Sequence, residues 1–312
     1  MNELQSEITI KAEAADDGLT VRTLLRHAGV SARLMTKIRH GGGQEAGGGA
    51  VTLRGEPARS RDIVRAGDEV RVVFPEEKTW FEPEDIPVSV IFEDDDLLVV
   101  DKQPGLVVHP TKGHHGGTLA NGIAAHMLAR GEQYQPRFAS RLDMNTSGVL
   151  TVCKNGHAQW SLAQQQEAGT ITKIYLALAE GEFAEPRGLI DLPIAPPVDG
   201  TPQRLVRQAD EGGRLAQTEY EALGFFAYGE DRFSLVRLRL LTGRTHQIRV
   251  HLAAIGHPVL GDTLYGAASS LIGRQALHAS EISFAHPKDG RPLNFSSPLP
   301  EDMALLLPCH GS

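Results

Sequence analysis

Cysteine is scarce in this chain of 312 residues, occurring only at Cys153 and Cys309. Two isolated thiols build neither a CxxC pair nor a disulfide framework, so the sequence points to a reducing cytosol. Long apolar runs are missing too. Stretches such as Leu97–Val100 and Ala304–Leu307 fall far short of the roughly 20 residues a membrane helix needs. The opening Met-Asn-Glu-Leu-Gln-Ser-Glu is acidic and polar, unlike a signal peptide. There is no HExxH, no close Cys/His quartet, no GxSxG elbow and no GK[ST] after a glycine-rich loop, which argues against zinc, serine-hydrolase and P-loop chemistry. No repeat of 20–50 residues is seen. What is present is a soluble composition, 41% hydrophobic and 22% charged. A length of 312 residues favours two domains and a core that needs no staples.

The formal net charge of −8 at first argues against a polyanionic partner, but its distribution reverses that view. Residues 16–75 carry a balance of +3, whereas residues 76–96 alone carry −8. The acidity is therefore mainly one local run, and local patches rather than totals steer a polyanion.

Residues 16–75 read as a first, small α+β unit. Thr20 precedes Val21, Leu24, Leu25 and Ala28 at helical spacing, with Gly29 as a stop. Ser31 is a candidate cap for a second helix bearing Leu34, Met35 and Ile38. After the glycine-rich 41–49 stretch, Val51–Leu53, Asp62–Val64 and Glu69–Phe74 read as short strands. Residues 76–90, acidic and with prolines at 83 and 87, read as an extended linker. From 91 to 307 strands and helices alternate irregularly. Leu97–Asp101, Val149–Lys154, Ile171–Leu178, Thr218–Phe225 and Phe233–Leu241 read as strands, and 118–130 and 156–167 as helices. Adjoining strands with no helix between them imply α+β with a mixed, largely antiparallel sheet, not a doubly wound one.

Three segments carry candidate chemistry. In Ser140-Arg-Leu-Asp-Met-Asn-Thr-Ser-Gly148, Asp143 sits in a polar turn before a buried strand, where Thr146, Ser147 and backbone N–H groups can hold a carboxylate ionised. The same pattern fits an Asx-type turn. In Leu241-Thr-Gly-Arg-Thr-His-Gln-Ile-Arg-Val-His-Leu252, apolar residues alternate with Gln247, Arg249 and His251. Read as extended, this segment presents Arg249 for bidentate pairing with a carboxylate or phosphate, or as an ordinary surface charge. In Lys173-Ile-Tyr-Leu-Ala-Leu-Ala-Glu-Gly181, Tyr175 is either a core aromatic or a stacking surface for a base. His109, His114, His115, His246, His251 and His257 invite a metal reading. On a strand His246 and His251 would face opposite ways, so no metal is expected.

In this order and spacing, RLDxxTSG, KxYLAL and LxTGRTHQIRVHLxxxGHPxxGDxxYG closely resemble the RluA-type pseudouridine synthases. Gly105-Leu-Val-Val-His-Pro and Gly117-Thr-Leu-Ala-Asn extend the likeness, which spans roughly residues 90–300. Residues 16–75 resemble the S-four-like RNA-binding module, on Glu56-Pro-Ala-Arg-Ser-Arg-Asp-Ile-Val-Arg-Ala-Gly-Asp-Glu-Val. The resemblance implies a pseudouridine-synthase fold and isomerisation of uridine in RNA without cofactor or metal. Asp143 then matches the catalytic aspartate, Arg249 its partner and Tyr175 the residue that stacks on the target base. Arg141 matches the residue that fills the place of the flipped nucleotide. Arg22, Arg26, Arg33, Lys37 and Arg39 form a basic cluster suited to phosphates, or a solvated helical face. Large-subunit ribosomal RNA is the favoured partner, transfer RNA the runner-up, and a cytoplasmic monomer the expected state. The rivals are a non-catalytic RNA-binding or assembly factor and a histidine-based hydrolase. Two departures from the family pattern stand out. Ser140 replaces the usual His before Arg-Leu-Asp, and the 38–51 junction is unusually long and glycine-rich.

Overall fold

The computed structural model describes residues 7–28, 30, 35–36, 49–74, 79–111, 115–197 and 201–308. The first unit is a four-stranded sheet of β1 (Glu7–Lys11), β2 (Ala50–Leu53), β3 (Glu56–Pro57) and β4 (Glu69–Val73) in the order β1-β4-β2-β3. Helix α1 (Val21–His27) lies on it, and the Thr20 hydroxyl accepts the Thr23 N–H at its start. Val21, Leu24 and Leu25 join Ile8, Val64, Val70, Val72 and Phe74 in a closed core. The expected strand at 62–64 is instead a single bridge, Ile63 to Thr20. Asp62 turns the chain there by accepting the Arg59 N–H at 2.6 Å. Gly29, Ser31 and the 41–48 part of the glycine-rich loop lie outside the described residues.

The second unit is one mixed sheet. Its strands are β5 (Ser89–Glu93), β6 (Leu97–Lys102), β7 (Arg137–Phe138), β8 (Ser147–Cys153), β9 (Thr172–Glu180), β10 (Arg187–Asp191), β13 (Gln217–Tyr228), β14 (Asp231–Leu240), β15 (Leu277–Ala285) and β16 (Pro292–Ser296). A separate small ribbon pairs β11 (Ile194–Ala195) with β12 (Leu205–Val206). The sheet order is β10-β13-β14-β9-β15-β8-β6-β5, with β16 on β15 and β7 on β8. Among the described ladders only β8–β15 is parallel, so the mixed, largely antiparallel α+β reading holds.

Strands β6 and β8 are buried on both faces, and their residues alternate between two cores. Leu98, Val100, Leu150 and Val152 point towards helix α2 (Leu119–Arg130), while Leu97, Val99, Val149 and Cys153 point towards helix α3 (Gly156–Glu167). Asn155 caps α3 by accepting the Ala158 N–H and also donates to Asp96. The described part of the 76–90 segment is extended and lies on α2. Phe81 packs against Ala120 and Ala124, Glu84 accepts the Gly117 N–H, and Asn121 donates to the Glu82 carbonyl.

The 241–252 segment corrects the extended reading, because residues 247–254 form helix α4 (Gln247–Ala254). Residues 247 to 252 are all buried, so apolar–polar alternation does not mark an exposed face here. The polar members are satisfied internally. Gln247 donates to the Gln217 carbonyl and the Thr218 hydroxyl, and the His251 ring bonds Thr218 Oγ1 and the Leu192 carbonyl, each at 2.9 Å. A short helix α5 (Glu301–Ala304) closes the described fold.

Candidate active site

A cleft of about 910 Å³ opens on the α2 side of the sheet, bounded by the 138–146 turn, β9 and the 240–249 segment. The turn exists because the Thr146 N–H bonds back to the Asp143 carbonyl at 3.0 Å. Gly148 then lets β8 approach β15 closely: at its φ of +111°, an added Cβ would lie 2.1 Å from the Ala279 carbonyl oxygen. The Asp143 carboxylate therefore leaves a rigid strand end, and its side chain is 27% exposed at the cleft.

The first turn of α4 aims Arg249 at this carboxylate, and Nη1 donates to Asp143 Oδ2 at 3.0 Å. The rest of the guanidinium fork is occupied by Asp262, with Nε to Oδ2 at 2.6 Å and Nη2 to Oδ1 at 2.7 Å. Burial works against the guanidinium charge, but Asp262 and then Asp143 outweigh it and hold the arginine firmly cationic. Asp262 is itself locked, accepting the Leu264 and Tyr265 backbone N–H groups. The Tyr265 ring lies 5.2 Å from the guanidinium carbon.

Tyr175 projects from β9 into the same cleft and packs in the core with Leu142 and Ile248. Burial first, and Asp143 second, push its phenol well above the usual tyrosine range, so it stays protonated at neutral pH. Arg141 is exposed at the cleft rim. Asp143, Arg249, Tyr175 and Arg141, spread over 109 residues of sequence, thus line one cleft. Arg22 and Arg26 stand exposed on α1, one turn apart, while Arg33, Lys37 and Arg39 lie outside the described residues.

Four residues at the site were given no catalytic role in the sequence reading, which weighed His246 only as a metal ligand. Asp262 belongs to the GDxxYG pattern, which signalled a motif but no partner. His246 and Tyr265 are hydrogen-bonded to each other at 2.9 Å, and His246 Nε2 lies 3.8 Å from Asp143 Oδ1. Lys102 closes the apolar run of β6 and is almost fully buried. Its three ammonium protons meet the carbonyls of Gln103, Leu106 and Met144 at 2.8–2.9 Å, pinning the residue next to Asp143. Burial pushes this lysine down to about 7, with Asp143 opposing the shift.

His251 and His257 have structural partners. His257 bonds the Glu180 carbonyl and stacks on Phe183 with centroids 4.0 Å apart. Among the described residues, Asp94, Asp96 and His286 lie close enough to share an ion. They are joined by hydrogen bonds: His286 pairs with Asp94 at 2.9 Å, Asp94 accepts the Asp96 and Leu97 N–H groups, and Asp96 accepts from Asn155. His114 lies outside the described residues.

Residues 96–254 match the family model described as RNA pseudouridylate synthase. The chain is 36% identical to the RNA pseudouridine synthase YjbO of Bacillus subtilis over 291 residues, covering 93% of this chain and 98% of that one. It is 39% identical to the ribosomal large subunit pseudouridine synthase D of Xanthomonas campestris, covering 83% and 80% of the two chains. Among solved structures it is similar to human RNA pseudouridylate synthase domain containing 1. That likeness has a TM-score of 0.58 at 30% identity and covers 70% of this chain and 86% of the other.

Proposed function

Because the chain belongs to the RNA pseudouridylate synthase family and isomerises uridine to pseudouridine in RNA, we propose that Asp143 carries the reaction and that the substrate is large-subunit ribosomal RNA. The observation that carries the first part is the state of the Asp143 carboxylate. Arg249 engages one oxygen and leaves the other turned to the cleft. The isomerisation breaks the N1–C1′ bond and forms a C5–C1′ bond on the same ribose. The C5 hydrogen leaves as a proton and N1 takes one up, so no oxidant or co-substrate is needed. An ionised carboxylate fixed by a buried arginine supplies the nucleophile or base for this exchange.

The target base must leave the stack, at a cost of a few kcal/mol. Arg141, at the rim, fills the gap and offsets part of that cost. Tyr175, held in its neutral form, provides the surface on which the detached uracil turns, and RNA binding dries the Asp143–Arg249 pair and strengthens it. The module at 16–75 grips structured RNA through Arg22, Arg26 and the basic residues that follow. The ribosomal assignment rests on the relatives named for the large subunit, with transfer RNA as the runner-up. The enzyme works as a monomer in the cytoplasm. No helix among the described residues is long and apolar enough to cross a membrane, and burial pushes the Cys153 thiol up to about 12, out of reach of oxidants.

Tritium release tests the reading. RNA labelled at uridine C5 is incubated with wild type and Asp143→Asn, using ribosomal and transfer RNA transcripts in parallel. Wild type releases tritium from ribosomal RNA, and the variant releases none while binding RNA within a few-fold. Turnover by Asp143→Asn would sink the assignment of Asp143, and release from transfer RNA alone would move the substrate.

A further inference from the structure

Arg249 accounts for only one oxygen of Asp143. The other, Oδ1, faces the imidazole of His246, with Nε2 3.8 Å away. His246 is one of two non-glycine residues with positive φ among those described, at 59°, and it sits at the N-cap of α4. A backbone in this region persists only where its surroundings impose it, and here they do. Nδ1 lies 2.9 Å from Tyr265 Oη, and the two rings meet edge to face at 5.7 Å. Tyr265 Oη accepts the Arg204 backbone N–H at 2.7 Å, which leaves its own proton for Nδ1. Nδ1 is then the acceptor, and the neutral ring carries its proton on Nε2, facing Asp143. Burial holds the ring in this neutral form. Asp143 and Asp262 oppose it, while the cations Arg249 and Arg204 reinforce it.

We infer that His246 is a positioning residue for the isomerisation: through Nε2–H it orients the reacting oxygen of Asp143, and the Arg204–Tyr265 chain sets its tautomer. This rests on the assignment of Asp143 as the reacting carboxylate. With RNA in the cleft and water displaced, one hydrogen bond from Nε2 closes the 3.8 Å gap. Together with Arg249 it defines both oxygens. Acid reverses the effect. A second proton turns the ring into an imidazolium, displaces the Tyr265 donor and turns the neutral hydrogen bond to Oδ1 into an ion pair, which lowers the nucleophilicity and basicity of the oxygen that must react. Turnover therefore falls as pH drops through the His246 titration, below the usual histidine range.

Two variants separate positioning from packing. His246→Asn suits the left-handed backbone and still reaches Tyr265, but its amide is too short for Asp143. Its kcat falls about 100-fold, with KM within a few-fold. His246→Gln extends an N–H to the Nε2 position, recovers at least tenfold of that loss, and lacks the acid limb that wild type shows. Equal kcat for wild type and His246→Asn would overturn the inference. So would a Gln variant no faster than the Asn one, or one that keeps the wild-type acid limb. Asp143→Asn runs alongside in the same single-turnover tritium assay. If it is inactive while His246→Asn is normal, only the role of His246 fails; if it is active, the reading of Asp143 fails as well.

Discussion

Asp143 and Asp262 both hold Arg249, yet they do so from opposite sides of the water boundary. The Asp262 side chain is fully buried, whereas that of Asp143 is 27% exposed. Removing either carboxylate charge should abolish turnover, but the stability costs should differ. Asp262→Asn leaves a buried guanidinium without its bidentate partner, which typically costs about 3–5 kcal/mol. Asp143→Asn leaves Arg249 paired with Asp262, so its cost stays below about 1 kcal/mol. Urea unfolding of the two variants measures the difference, and equal midpoints would refute it. Only half of this was legible in the sequence. Asp143 and Arg249 stood out because the family motif singled them out, where turn chemistry alone left Asp143 open and the segment of Arg249 read as extended. Asp262 did not, because a Gly-Asp before an aromatic reads equally as a turn. Lys102 was hidden for a related reason. A lysine at a strand end reads as a solvated terminus, and nothing local reveals that the chain returns at Met144 to cover it.

Gly148 shows how one position governs two strands. Its φ of +111° and the 2.1 Å approach of an added Cβ to the Ala279 carbonyl mean that β8 and β15 meet in parallel only if this residue has no side chain. Gly148→Ala combines left-handed strain with backbone overlap, each costing about 1–3 kcal/mol. At roughly 2–4 °C per kcal/mol for a domain of this size, the thermal midpoint should fall by about 4–24 °C. Turnover should fall further than the unfolded fraction explains, because the Asp143 turn leads directly into this strand. A midpoint within 2 °C of wild type would mean that the ladder tolerates separation. Elements whose burial pattern shows in the chain were readable: α3 was placed at 156–167, and β6 and β8 were found as apolar runs. Helix α4 was not, since its polar residues are buried by hydrogen bonds to β13 and to the 191–193 turn, and sequence alone shows polarity without showing who satisfies it. The strand expected at 62–64 failed for the opposite reason, a local Asp62 turn outcompeting the strand ladder.

Charge is partitioned along the whole chain rather than averaged over it. The net −8 arises chiefly in residues 76–96, and the described part of that stretch lies on the catalytic unit, where Glu84 caps Gly117 and Glu93 pairs with Lys154. Burial works against the Glu93 charge, but Lys154 and His126 overcome it and hold its carboxyl below the usual glutamate range, so its charge is spent internally. The module at 16–75 carries an excess of +3. On α1, Arg22 and Arg26 project outward while Val21, Leu24 and Leu25 fill the core beneath them, so the two arginines can be removed without touching the fold. If each contacts one phosphate, replacing both with alanine should lower the slope of log affinity against log salt by about 1.4–1.8. The loss should be largest at low ionic strength and appear in KM more than in kcat, because Asp143, the proposed reacting carboxylate, belongs to the other unit. Filter binding of a ribosomal RNA fragment across a salt series reads that slope. An unchanged slope in the double variant would place the grip outside α1, on the basic residues after it or on the rim around Arg141.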